Sequence, residues 1–122
     1  MIETKTANRN KASQHKWTKE DEIVALYLWK YGEKEPGGER KLGIYTIQTI
    51  SNVLEIKPNS IKMKITNYEA LTGGRGLDGY SEQMIKVFKK YKNTPEPELR
   101  QIAEKIIEDV FAAKRAEKKE EM

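Results

Sequence analysis

Apolar residues recur at spacings of three and four positions in five stretches of the chain, a period that predicts α-helices. In the first stretch, from Trp17 to about Tyr31, the residues Ile23, Leu26 and Tyr27 fall on one face. A helix of this kind buries its apolar face against others. The pattern therefore predicts an all-α fold of five helices.

Residues that start and stop helices separate these stretches. Gly32 and Gly73 are the predicted stops of helices 1 and 3. Pro58 suits the first turn of helix 3, where Asn59 or Ser60 is the predicted cap. The predicted caps of the other four helices are hydroxyl side chains: Thr18, Thr46, Ser81 and Thr94.

The last predicted helix, 95–116, carries a long apolar stripe. Its members are Leu99, Ile102, Ala103, Ile106, Val110 and Ala113, and Ile107 and Phe111 lie beside them. Such a stripe does not stand free in water. The helix is therefore expected to pack on the other four, to form a homodimer with its twin in a second chain, or to do both with two surfaces.

Helix 3 has an unusual outward face. Its buried stripe is formed by Ile61, Ile65 and Tyr68, at positions i, i+4 and i+7. No acidic residue occurs between Lys57 and Asn67, whereas an ordinary solvated helix interleaves Glu with Lys. Amide, hydroxyl, ammonium and thioether groups can contact base edges or phosphates. The candidate DNA-binding residues here are Lys57, Asn59, Ser60, Lys62, Met63, Lys64, Thr66 and Asn67. The alternative is a protein-binding face anchored by the methionine.

Positive charge is concentrated in the middle of the chain. The net charge of the 122 residues is +4, and the balances are +1 for 1–56, +5 for 57–92 and −2 for 93–122. A basic stripe is typical of proteins that bind polyanions, although lysines also keep a surface soluble. The lysines opposite the apolar face of helix 4 are further phosphate candidates: Lys86, Lys89 and Lys90.

Two glycine-rich stretches, 33–43 and 72–80, predict exposed connections. The second contains Arg75, whose guanidinium can clamp a phosphate. A tight connection without a ligand is the equal alternative.

Residues 46–65, TIQTISNVLEIKPNSIKMKI, resemble the helix-turn-helix of bacterial and phage DNA-binding proteins. Ile50 and Leu54 stand on the first helix of that pattern, Ile56 follows the turn, and Ile61 anchors the second helix. Ser51 stands where the family has Ala. Glu55 stands where it has Gly, so a side chain occupies a position of positive φ. The resemblance implies a helix-turn-helix three-helix core plus two C-terminal helices.

The Trp-Thr-x-Glu-Asp opening of helix 1 (17–21) is similar to that of Myb/SANT-like three-helix modules. It is also similar to recognition segments that accompany HNH-type nucleases in phage and restriction systems. This resemblance implies DNA targeting. Cleavage is not implied, because an HNH centre needs paired histidines and the chain has only His15.

Residue types that carry chemistry are scarce. The chain has no cysteine, and its one histidine lies in a polar stretch, so thiolate, Ser/His/Asp and zinc chemistry are poorly supported. Asp21, Glu22 and Asp78 are expected at capping or loop positions without a paired base. We therefore expect neither enzymatic activity nor a cofactor or metal. The absence of a long apolar run predicts a cytoplasmic protein with no membrane association.

These predictions divide the chain into a flexible basic arm (1–16), a DNA-binding domain (17–92) and a C-terminal helix with a charged tail (93–122). The predicted function is binding of double-stranded DNA, as a regulator or targeting module, with helix 58–71 in the major groove. The alternative is a helical protein-protein adaptor or inhibitor of phage type that does not bind nucleic acid.

Overall fold

The computed structural model describes residues 16–34, 40–73 and 80–121. The chain is mostly helical in these ranges, as the periodicity predicted. The elements in chain order are α1 (Lys19–Lys30), β1 (Glu33–Lys34), β2 (Arg40–Leu42), β3 (Tyr45–Thr46), α2 (Ile47–Leu54), α3 (Pro58–Thr72), α4 (Glu82–Tyr91) and α5 (Glu96–Glu121).

The predicted caps account for most helix boundaries. The Thr18 hydroxyl accepts from the backbone N–H of Asp21, whose carboxylate accepts from the Thr18 N–H, so α1 begins with a complete capping box. Thr46 and Ser81 likewise cap α2 and α4 with their hydroxyls, and Gly73 follows the last residue of α3. The prediction for the start of α3 was wrong. Its N-cap is Lys57, two or three residues before the predicted Asn59 or Ser60, because Pro58 is already the first residue of the helix.

The stretch 33–43, which the sequence predicted as an exposed loop, contains two strands of a small antiparallel sheet, and the third strand follows it. The strand order is β1-β2-β3, and Leu42 of β2 is fully buried. The Arg40 guanidinium donates to the carbonyls of Leu28 and Trp29 and thereby satisfies the end of α1. Gly43 has φ of +57°, which permits the turn between β2 and β3. The sheet thus adds a strand residue to the core and caps α1.

Helix α1 is the centre of the fold. All residues from Asp21 to Leu28 are buried, not only the predicted face, because α3, α4 and α5 all pack around this helix. A helix with neighbours on several sides has little solvent-facing surface for its polar residues. The carboxylate of Glu22 is consequently inside the protein, with an exposure of 1%.

The turn between α2 and α3 is tight. Glu55, the C-cap of α2, has φ 58° and ψ 45°, which is the left-handed conformation that glycine adopts most easily. Ile56 is then buried, and the Ser51 hydroxyl donates to its carbonyl. Ser51 and Glu55, which depart from the helix-turn-helix pattern that this segment resembles, therefore both take part in this turn.

Helix α5 packs back on the other helices from Leu99 to Val110. Leu99, Ala103 and Ile107 are buried in the same core cluster as α1, so Ile107 belongs to the central stripe instead of lying beside it. Phe111 is 50% exposed, and the helix continues to Glu121, beyond the predicted end at 116. Among the described residues, no helix is long and apolar enough to cross a membrane.

Candidate nucleic-acid interface

The outward face of α3 is formed by Asn59, Lys62, Met63 and Thr66, which are all exposed. Ser60 and Asn67 are half-buried at its edge. Inward-pointing residues hold the helix on the core and include the predicted stripe: Ile61 and Tyr68 are buried, and Ile65 is partly buried. These four side chains therefore give α3 an exposed surface about two helical turns long.

The polar groups of this face are mostly donors and acceptors without formal negative charge. The Thr66 hydroxyl donates to the Lys62 carbonyl one turn earlier, at 3.1 Å, so its oxygen remains available as an acceptor. The Asn59 amide offers both a donor and an acceptor. Met63, at 66% exposure, is the large apolar group in the middle. Such a mixture suits base edges and the thymine methyl group.

The first turn of α3 lacks a side-chain cap and contains no acidic residue. Lys57, at the N-cap, is exposed. Backbone N–H groups at a helix start, together with the helix dipole, favour a negative partner. This end of α3 is thus electrostatically compatible with a phosphate.

Lys64 was predicted at the edge of the outward face, and the structure places its side chain inside the protein instead. Its side chain is only 13% exposed, and its Nζ lies 3.3 Å from Oε2 of Glu22. The same ammonium lies 4.6 Å from the centre of the Trp17 ring. It points inward because position 64 lies close to the buried positions 61 and 68 on the helical wheel, at about 100° per residue. Lys64 is therefore an internal partner of α1 instead of a surface cation.

The carboxylate of Glu22 has two further neighbours. The Tyr68 hydroxyl donates to Oε1 at 3.1 Å, and Gln83 Nε2 lies 3.4 Å from Oε2 and 2.8 Å from the Trp17 carbonyl oxygen. Burial of the Tyr68 hydroxyl raises its pKa above the ordinary 10.0, and the charge of Glu22 and the hydrogen bond to it raise it further. The hydroxyl therefore stays protonated and acts as a donor. This cluster joins α1, α3 and α4. The sequence did not predict it, because Glu22 looked like a helix-start carboxylate and its burial depends on the packing of three helices.

An aromatic cluster adds a second link between the same helices. The Trp29, Tyr68 and Phe88 rings lie with centroids 6.2 to 6.4 Å apart. The indole N–H of Trp29 donates to Glu69, which flanks the outward face of α3. The acidic group of α3 that lies beside this face is thus engaged with α1.

The three candidate lysines of α4 are exposed, as predicted: Lys86, Lys89 and Lys90. Two of them, Lys86 and Lys90, line a groove with Lys19 of α1, together with Glu82, Gln83 and Val87. Lys19 was not among the predicted site residues, because its place at the start of α1 gave no sign that α4 packs alongside. Among these lining residues only Glu82 offsets the positive charge, at 3.8 Å from the Lys86 Nζ.

Arg75 and residues 1–15 of the predicted arm (1–16) lie outside the described residues, so the phosphate contact of Arg75 and the flexible basic arm remain predictions. In the described ranges, no three His, Asp or Glu side chains gather as a metal site would require. Comparison of the chain with models of known families, with characterised proteins and with solved structures finds no match. A functional assignment therefore depends on the geometry of the site itself.

Proposed function

We propose that the chain binds double-stranded DNA through a helix-turn-helix formed by α2, the turn at Glu55 and α3. The observation that carries the proposal is the open outward face of α3, in which Asn59, Lys62, Met63 and Thr66 are exposed with no carboxylate among them. In this proposal α3 enters the major groove, and these side chains contact base edges. The role is that of a regulator or a targeting module, without catalysis.

Two features of the turn support the helix-turn-helix assignment. Glu55 adopts the left-handed conformation that the resemblance implies at that position, in spite of not being glycine. Ile56 is 1% exposed, as expected for the apolar residue after the turn. The local geometry thus agrees with the pattern at its least regular point.

Phosphate contacts are assigned to cations outside the outward face. We place them at Lys57, at the start of α3, and at the α4 lysines. We also include Lys19, because it lines the same groove as Lys86 and Lys90. Lysines contact phosphates mainly as point charges and set affinity more than sequence preference. We omit Lys64 from this set, because Glu22 already neutralises it.

The homodimer predicted for helix 95–116 is retained as part of the proposal in a narrower form. Residues from Leu99 to Val110 pack on the core of their own chain, so the surface around Phe111, beside the stripe, is the part that remains for a second copy. A dimer formed there would contact two half-sites about one turn of DNA apart.

Titration of labelled duplex DNA at several salt concentrations tests the proposal. We expect the logarithm of the binding constant to fall linearly with the logarithm of salt, with a slope of about −0.9 per phosphate contact. Lys62→Gln should weaken binding. Lys105→Gln is the matched control: Lys105 is also an exposed helical lysine, but it lies on α5.

A second pair of variants separates base contacts from phosphate contacts. Asn59→Ala with Thr66→Ala should reduce discrimination between duplex sequences and leave the salt slope unchanged. Lys86→Gln with Lys90→Gln should make the salt dependence less steep, by the amount expected for the loss of about two phosphate contacts. Undetectable binding of the unchanged chain at low salt would contradict the whole proposal.

A second candidate is the protein-protein adaptor. It is favoured by one observation, the 66% exposure of Met63 in the middle of the outward face, because methionine adapts to apolar partner surfaces. On this alternative Met63→Ser abolishes binding to the partner, while Lys62→Gln has little effect. DNA binding with a steep salt slope would exclude the adaptor as the main role.

A further inference from the structure

The ion pair between Glu22 and Lys64 lies inside the protein, with side-chain exposures of 1% and 13%. Removing a carboxylate from water is strongly unfavourable unless other groups replace the lost hydration. The surroundings compensate with an ammonium, a phenol and an amide, which come from Lys64, Tyr68 and Gln83. The carboxylate is thus enclosed by donors from two other helices.

Stability alone does not explain such a pair. Buried ion pairs are often no more stabilising than well-packed apolar residues of similar size. A hydrogen-bonded ion pair differs from apolar packing in that it is directional. A hydrogen bond needs a defined distance and angle, whereas apolar contact does not. A directional contact between α1 and α3 restricts rotation of α3 about its own axis more than the isoleucines alone.

That rotation determines where the outward face points. Adjacent helical residues are about 100° apart, so fixing Lys64 also fixes the directions of Met63 and Lys62. Lys64 is held on a second side by the Trp17 ring, and the Trp17 carbonyl accepts from Gln83 of α4. The orientation of α3 is thereby set from α1 and α4 together.

We infer that Glu22 and Lys64 are positioning residues that set the rotation of α3, and with it the alignment of the outward face for DNA. The alignment for DNA rests on the proposed function, whereas the rotation of α3 does not. Neither residue contacts the nucleic acid. They act on binding through Asn59, Lys62, Met63 and Thr66, whose direction depends on the internal pair.

The test uses the double variant Glu22→Gln with Lys64→Met. The Glu22→Gln change keeps an oxygen that accepts from Tyr68, and the Lys64→Met change keeps a long side chain over the Trp17 ring. Both charges disappear together, so no buried charge is left unpaired. The matched control removes the exposed α5 pair Lys105–Asp109, whose atoms lie 3.4 Å apart, by Lys105→Met with Asp109→Asn.

Three readouts, the distance between two spin labels, the melting temperature and the duplex affinity, separate positioning from stability. Because the chain has no cysteine, spin labels can be attached at Met63→Cys on α3 and at Gln101→Cys, an exposed site on α5. In the double variant we expect a shifted or broadened distance distribution, a melting temperature that does not fall, and duplex affinity reduced roughly tenfold or more through lost base contacts. The control pair should change neither the distances nor the affinity.

An unchanged distance distribution in the double variant would overturn the inference, and so would a changed distribution with unchanged affinity. If the unchanged chain does not bind DNA, the proposed function fails, and the distance distribution alone decides whether the pair sets the rotation of α3. If the double variant does not fold, Lys64→Arg replaces it, because the cation stays paired with Glu22 while the planar guanidinium changes the distance and angle of its hydrogen bonds. A smaller broadening is expected, and its absence counts against the inference.

Discussion

Lys62 and Lys64 stand two residues apart on the same helix and belong to opposite environments. Lys62 is exposed on the outward face, whereas Lys64 is 13% exposed and paired with a buried carboxylate. The helix turns by about 200° between them, so one side chain points to solvent and the other towards α1. Charge at the first position is therefore expected to act on binding directly, whereas an unpaired or repelled charge at the second is expected to lower stability.

The largest effect is expected on charge reversal at the inner position. Lys64→Glu places a second carboxylate against Glu22 and should lower the free energy of unfolding by about 3 to 5 kcal/mol. Urea denaturation followed by circular dichroism measures this. Lys62→Glu should stay within about 0.5 kcal/mol of the unchanged chain. If the two variants lost equal free energies of unfolding, the proposed difference between a buried Lys64 and an exposed Lys62 would be contradicted.

Removal of the Tyr68 hydroxyl tests the hydrogen bonds of the buried Glu22 carboxylate without changing the charge of the protein. Tyr68→Phe leaves Glu22 with one donor fewer and should reduce the free energy of unfolding by about 1 to 3 kcal/mol. Chemical denaturation at neutral pH is the measurement. A neutral effect would show that the other two donors satisfy the carboxylate.

The same hydroxyl predicts a loss of stability in alkali. Its pKa is raised in the folded state above the ordinary 10.0, so the folded chain holds this proton more tightly than the unfolded chain. The stabilisation is complete below that ordinary pKa and is lost as pH rises from there through the raised value. Thermal melts from about pH 8 to about pH 11 should show a steeper decline for the unchanged chain than for Tyr68→Phe. Parallel profiles would contradict the assignment.

The turn that leads into α3 offers a smaller effect of opposite sign. Glu55→Gly relieves a left-handed conformation and should raise the free energy of unfolding by up to about 1 kcal/mol. Glu55→Ala is the control, since it removes the same carboxylate, 3.0 Å from the Lys114 Nζ, and keeps the Cβ. A gain from alanine as large as that from glycine would mean that backbone strain is not the cause.

The smallest effect is expected on homodimer formation. It is tested by substituting two exposed apolar residues, Phe111 of α5 and Met63 of α3. Sedimentation at high protein concentration should show a weak dimer of the 14.1 kDa chain. Phe111→Ser should restore the monomer mass, whereas Met63→Ser should not. An unchanged mass distribution in Phe111→Ser would exclude a dimer through α5.

Much of the local structure could be predicted from short patterns. Thr18, Thr46 and Ser81 start their helices because a hydroxyl near a helix start satisfies a backbone N–H whatever the rest of the chain does. The outward face of α3 followed from periodicity, with the exception of Lys64. The sheet was missed, because its strands of two and three residues are too short to show alternation.

Caps and periodicity act over a few residues, so they were sufficient to predict where the helices lie and which side of α3 is apolar. The internal pair of Glu22 and Lys64, the groove that Lys19 shares with α4 and the central place of Ile107 in α5 appeared only in the folded arrangement. Each of these depends on which helices meet, and residues as distant as 22, 64 and 83 carry no local sign of their contact. The environment of a charged side chain is set by its neighbours in space, and the one-dimensional pattern does not contain them.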